Sequence, residues 1–428
     1  MYQRYIKLNE WLIYYFPLIM VTQMLTAMRF PIPEFVWGYL FNLFCIGIGV
    51  LAFRFSKNKA KGSFKLLLLY FILSVFAYFF NHIPLYCYYR ESLSFLLPFM
   101  FVFVGMNNND DRFYKYFLYS VLFCNFIGLG LHFIRPGWYI AYKLSVADQL
   151  WYLQDTSMSE SDLIFNGIGR YSSFFSNSYP VAFYSSFSLC IIVEDFCKDV
   201  KNRIIKSTNH QIVFILFSLL GIVLSISRIA IAYSAVVLLY YYFTCLLYRS
   251  SAHFKFVKMF VAGYIVVVAL IYVVSLTPIG CDLIDVVFSR FDEFDIESLD
   301  SGRTKQNEDV LYSWQNTLFG DGMGSKGGTA AMLGFDAITD GGWTRFLIEY
   351  GVIGLTFFCF LILRTICHGL RFRKYMSKEI MIVGYGIASM IGANSLGMGS
   401  AIILFWFAIG RIWNSDYLAQ KITINDRI

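Results

Sequence analysis

The chain has 428 residues, of which 58% are apolar, 20% aromatic and only 15% charged. Soluble domains carry about 25% charged residues, so this composition excludes an ordinary water-soluble enzyme or binding module. The net charge of +7 does not point to nucleic acid, because the basic residues alternate with apolar runs instead of forming one patch.

Taken in chain order, apolar runs long enough to cross about 30 Å of hydrocarbon as helix recur from end to end. The first, Trp11 to Ala27, leads into Met28-Arg29 with no small-residue cleavage motif, so it is expected to be a span rather than a signal peptide. Spans are predicted near 11–27, 36–53, 66–82, 92–106, 116–134, 178–193, 211–226, 229–247, 259–277, 346–363, 380–394 and 400–413. In lipid a helix satisfies its own backbone, and the alternation of a membrane barrel is absent. The predicted fold is therefore all-α and polytopic, with about twelve transmembrane helices in one membrane domain.

Most of the 35 lysines and arginines then fall on one side. They are Arg4 and Lys7, Arg54 to Lys65, Arg112 and Lys115, Lys198 to Lys206, Arg249 to Lys258, Arg364 to Lys378, and Arg411, Lys421 and Arg427. The positive-inside rule makes that side cytoplasmic, with both termini on it. The outer side keeps two long loops, 135–177 and 278–345. Long loops of this kind are functional or disordered, and their aromatic content favours folded covers over the active site rather than linkers. The nine cysteines show no metal-ligand spacing. They read as packing residues, with a disulfide between Cys87 and Cys281 as the one alternative.

Arg228 is the sharpest chemical signal. It is the only charged residue between Lys206 and Arg249, a stretch that must fold as a hairpin with Ser225-Ile226-Ser227-Arg228 as its outer elbow. An arginine there needs water, a carboxylate or an anionic ligand; the competing reading is a side chain snorkelling to lipid headgroups. Arg170, Arg303 and Arg345 lie in the long loops. Singly, each reads as a solvated loop residue; together they suit a pyrophosphate, because a guanidinium donates bidentately and stays charged. The acidic stretch 282–300 fits no calcium-loop spacing and reads as a solvated helix face. Asp340 and Glu349 stand where the second loop returns to the membrane. Either is a candidate general base on a sugar hydroxyl, or a partner of Arg345. The run Phe319-Gly320-Asp321-Gly322-Met323-Gly324 lacks the preceding strand and the lysine of a nucleotide loop, so a nucleotide site is rejected. His82 and His132 read as interfacial residues.

One set of fragments, in order, resembles the Wzy-type polysaccharide polymerase and O-antigen ligase superfamily. It runs over roughly 165–364: Gly169-Arg170, Ser173-Phe174-Phe175-Ser176-Asn177 with Pro180, the elbow at Arg228, Gly302-Arg303, Trp314, Leu318 to Gly324, then Asp340, Leu347, Glu349, Tyr350, Gly351 and Gly354. The resemblance implies a fold similar to the C-type glycosyltransferases and a site at the outer leaflet of a bacterial inner membrane. Substrates would be undecaprenyl-pyrophosphate-linked oligosaccharides, with no metal or cofactor, and a chain-length regulator would be a partner. It implies Arg228, Arg303, Asp340 and Glu349 in catalysis, and Arg170, Arg345 and Trp314 in substrate binding. Ligases of this superfamily typically carry histidine in the second loop. Here 278–345 holds none, and Asp340 stands near that place, which favours polymerase over ligase. The rival from another class is a flippase or transporter, for which repeated halves and short outer loops are expected.

Overall fold

A computed structural model of the chain describes residues 10–28, 41–56, 60–81, 83–143, 171–175, 178–198, 200–248, 317–327, 329–330, 333–334, 341–391 and 399–425. The described residues form helices and turns, with no strand among them. Four helices are long and apolar enough to cross a membrane: Leu85–Asn107, Arg112–Ile134, Tyr179–Cys197 and Gly342–Arg371. Several shorter apolar helices accompany them. The all-helical membrane character expected from the composition is thus present. The run 259–277, the junction between the runs at 380–394 and 400–413, and most of both long loops lie outside the described residues.

The longer helices among the described residues are α1 Tyr15–Ala27, α2 Phe41–Phe55, α3 Lys61–Leu73, α4 Leu85–Asn107, α5 Arg112–Ile134, α6 Tyr179–Cys197, α7 Thr208–Leu224, α8 Arg228–Tyr248, α9 Gly342–Arg371, α10 Arg373–Ser389, α11 Ile403–Ile412 and α12 Ser415–Asn425. They belong to two compact units that interleave along the chain. One takes Met1–Leu12, Glu34–Asp110 and Asp300–Ile428; the other takes Ile13–Pro33 and Asp111–Leu299.

In the first unit, α4 packs against α2 and α11. The α4–α11 crossing is close because it lies on small residues. A Cβ on Gly105 would fall on the Phe407 carbonyl, and one on Gly410 on the Val102 carbonyl. Small residues let membrane helices approach and pack without a hydrophobic driving force. Around that seam lies an aromatic core of Phe71, Phe95, Phe99, Phe346, Tyr350, Phe358 and Trp406, mostly in edge-on or tilted contact, the arrangement that ring quadrupoles favour.

One end of this unit is closed by Arg411. Its Nη1 donates to the Asn108 carbonyl at 2.7 Å, to Asn108 Oδ1 at 2.6 Å and to the Asp110 carbonyl at 2.7 Å. Its guanidinium lies 3.6 Å over the Tyr417 ring. Asn414 Nδ2 donates to the same Asn108 carbonyl at 2.8 Å. These bonds fix the turn that leaves α4 at its C-cap Asn108, supplying partners to carbonyls that lie past the end of the helix.

In the second unit, every residue of α6 from Val181 to Phe196 is buried, under α5, α7 and α8. A helix buried on all sides needs its polar groups matched internally. Asn125 Nδ2 donates to Ser185 Oγ and to the Phe217 carbonyl, both at 3.0 Å, and Ser218 Oγ donates to Ser188 Oγ at 2.8 Å. Asp195 accepts from Ile204 N at 2.6 Å, Ile205 N at 3.0 Å and Gln211 Nε2 at 3.0 Å, which fixes the turn into α7.

Candidate functional site

Glycine places the polar cluster of the first unit. Gly351 sits inside α9 at φ 67°, so the helix breaks there. A break frees carbonyls before it and N–H groups after it, and both must find partners. The glycine-rich segment 317–322 supplies them. Asp321 N donates to the Ile348 carbonyl at 2.8 Å and Gly322 N to the Glu349 carbonyl at 2.9 Å. In return Val352 N donates to the Thr317 carbonyl at 3.0 Å and Ile353 N to the Leu318 carbonyl at 3.2 Å. Gly320, Gly322 and Gly324 all take left-handed backbone, at φ 80°, 98° and 82°. A Cβ on Gly320 would stand 2.5 Å from the Glu349 carbonyl oxygen. The segment read as unsuited to nucleotide is therefore a strap on the helix break, and its glycines permit the close approach.

Under the strap, Arg345 joins two carboxylates. Its Nε donates to Glu349 Oε1 at 2.7 Å and its Nη2 to Glu91 Oε1 at 2.6 Å. Glu349 Oε1 also accepts from Lys326 N at 3.3 Å. The Tyr78 hydroxyl donates to the Met323 carbonyl at 2.5 Å, Met323 N donates to Ser74 Oγ at 3.2 Å, and the Tyr70 hydroxyl donates to the Tyr350 carbonyl at 2.6 Å. On the strap itself, burial pushes the Asp321 carboxyl up, against the lowering effect of Lys326. The residues meeting here are those for which the sequence topology predicts the outer face: the end of α3, the start of α4, the strap and the start of α9.

Arg345 is thus not the solvated loop residue expected of it singly. It is buried, because α9 begins at Gly342 and brings it within one turn of Glu349. Of the alternatives for Glu349, base or partner of Arg345, the pairing is present. Cys87 is buried beside Tyr78 and Ala330; Cys281 lies outside the described residues, as do Arg170, Arg303, Trp314, Asp340 and the acidic stretch 282–300. Glu91 was not singled out from sequence. It follows Arg90 at the head of an apolar run, and the only available signal was an acid at a span end.

In the second unit, Arg228 is an exposed first residue of α8. The elbow before it is held tightly. Ser225 N donates to the Gly221 carbonyl at 3.2 Å and Tyr171 N to the Leu224 carbonyl at 3.1 Å, while Ile226 is left-handed at φ 54°. Behind Tyr171, the turn 171–175 is fixed by Ser173 Oγ donating to the Cys124 carbonyl at 2.8 Å and the Tyr139 hydroxyl donating to the Ser173 carbonyl at 2.8 Å. Lys143, on the short helix 137–143, reaches the same turn and was also missed. Its Nζ donates to Ser172 Oγ and to the Phe175 carbonyl, both at 2.5 Å, and lies beside the Tyr139 and Tyr142 rings. Lys143 is 2% exposed, and burial lowers its pKa to about 7.

The fold and these clusters define an all-helical membrane protein with polar, backbone-constrained sites at helix ends. No protein-family model, curated protein or solved structure matches the chain.

Proposed function

We propose that the protein polymerises oligosaccharide repeats carried on undecaprenyl pyrophosphate, at the outer leaflet of a bacterial inner membrane. The reading takes about twelve spans in a C-type glycosyltransferase-like arrangement, with both termini cytoplasmic and the two long outer loops covering the site. A growing glycan leaves its carrier for a hydroxyl on the next lipid-linked repeat. Negative charge develops on the departing pyrophosphate, and Arg228, with Arg170 and Arg303, supplies positive charge where it develops. A carboxylate receives the hydroxyl proton.

One observation carries this reading. Left-handed backbone gathers in the fragments that resemble the polymerases: Ser173 at φ 50°, Ile226 at φ 54°, and Gly320, Gly322, Gly324 and Gly351. Ser173 and Ile226 are two of the three non-glycine residues with positive φ among the described residues. A β-branched residue is costly there, by about 1–3 kcal/mol, and such strain persists where surrounding structure enforces a functional geometry. Ile226 stands two residues before Arg228. Against a transporter, the two units interleave in the chain rather than dividing it into sequential halves.

The test is to incubate purified protein with lipid-linked repeats. A ladder of longer glycans on the carrier is expected. Transfer to a different lipid acceptor would make the protein a ligase, and an unchanged substrate would leave the transporter reading.

A further inference from the structure

We propose that Glu91 is the catalytic base that takes the proton from the acceptor hydroxyl. This rests on the polymerase reading above and identifies a residue that the resemblance does not supply. Two carboxylates share Arg345, and they are not equivalent. Glu349 has a 5% exposed side chain, and its Oε1 already accepts from Arg345 Nε and Lys326 N. Glu91 has a 15% exposed side chain and gives one oxygen, Oε1, to Arg345 Nη2. Its Oε2 accepts no hydrogen bond among the described residues. A base needs an oriented carboxylate with an open lone pair that a substrate can reach; in this cluster Glu91 has both and Glu349 is sealed.

The strap shapes that access. A Cβ on Gly324 would stand 2.7 Å from Glu91 Cβ, so this glycine lets the strap close on the stem of Glu91. A Cβ on Gly327 would lie 3.4 Å from Glu91 Oε2 and 2.8 Å from Arg345 Nη2. The bare glycine leaves space beside the open oxygen. Arg345 is the one cation bonded to both carboxylates, through Nε to Glu349 and Nη2 to Glu91. Other titratable groups facing the cluster are Tyr78, Cys87 and Tyr350, with Asp321 and Lys326 on the strap.

In the step, the acceptor oxygen forms a bond to the anomeric carbon of the donor glycan. The bond from that carbon to the pyrophosphate oxygen breaks, and its electron pair leaves with the lipid pyrophosphate. The hydroxyl proton passes to Glu91 Oε2.

The test uses full-length protein and lipid-linked repeats, with rate and donor binding measured separately. Glu91→Gln keeps an oxygen for Arg345 and removes the base. The expected result is an elongation rate lower by about 100-fold or more, donor binding within a few-fold of wild type, and loss of the acidic limb of the pH–rate profile. An elongation rate within a few-fold of wild type overturns the proposal, as does loss of donor binding in step with the rate. A Glu91→Gln protein that elongates while Asp340→Asn does not would assign the base to Asp340. If Glu91→Gln is not recovered folded, Glu91→Asp decides: it must elongate more slowly than wild type and keep the acidic limb, and a wild-type rate overturns the proposal. Wild-type protein that elongates nothing fails the polymerase reading itself, whatever the variants do.

Discussion

Arg228 and Lys143 show how differently a cation is treated at a helix end and in a core. Arg228 is exposed at the first turn of α8, where helix N–H groups and the guanidinium both favour an anion. If its role is bidentate contact with pyrophosphate, charge alone does not replace it. Arg228→Lys should reduce elongation severely, by about tenfold or more, with normal membrane insertion; wild-type polymer length in that variant would leave Arg228 a headgroup anchor. Lys143 has the opposite surroundings, with hydroxyl, carbonyl and rings but no carboxylate bonded to it among the described residues. The folded protein holds it neutral above about pH 7, whereas its ordinary value is 10.5. Between these values the unfolded chain binds the extra proton, so stability rises with pH, by roughly 5 kcal/mol across the window. Unfolding of wild type and Lys143→Met measured from pH 7 to 10 should show that slope in wild type and a flatter one in the variant. Parallel slopes would refute it.

At the scale of elements, the break in α9 and the strap depend on each other. Gly351 is left-handed, and a Cβ there would strike the Leu318 carbonyl. Gly351→Ala should cost about 1–3 kcal/mol from the backbone alone and release the strap. Melting in detergent should fall and proteolysis within 317–327 should quicken; an unchanged melting temperature and cleavage pattern would show that the strap does not need the break. Much of this level is legible in the sequence. Apolar runs locate the helices because hydrocarbon demands them, and the elbow at 225–228 follows from one arginine in a stretch too long for a single span. The ends are less legible. The run expected at 346–363 is a helix from Gly342 to Arg371, since polar residues continue a helix past the apolar stretch that hydropathy detects. The polar cluster is least legible. Glu91 and Arg345 stand 254 residues apart, and no local pattern announces a pair that only packing creates. The glycines of 319–324 were visible, but their purpose was not, because it lies in the Glu349 and Ile348 carbonyls they cover.

For the whole molecule, the proposal assigns a helical membrane protein to one reaction class. A polymerase takes donor and acceptor from the same leaflet, so both arrive on lipid carriers and the product stays on one of them. A ligase ends with the glycan on a different acceptor, and a flippase changes no bond. These alternatives leave different material behind in a cell that lacks the protein. The most direct measurement is the length and attachment of glycan in a deletion strain restored with wild-type protein as control. At most single repeats on the final acceptor are expected in the deletion, and long polymer on restoration. Long polymer still attached to its lipid carrier in the deletion strain would contradict it.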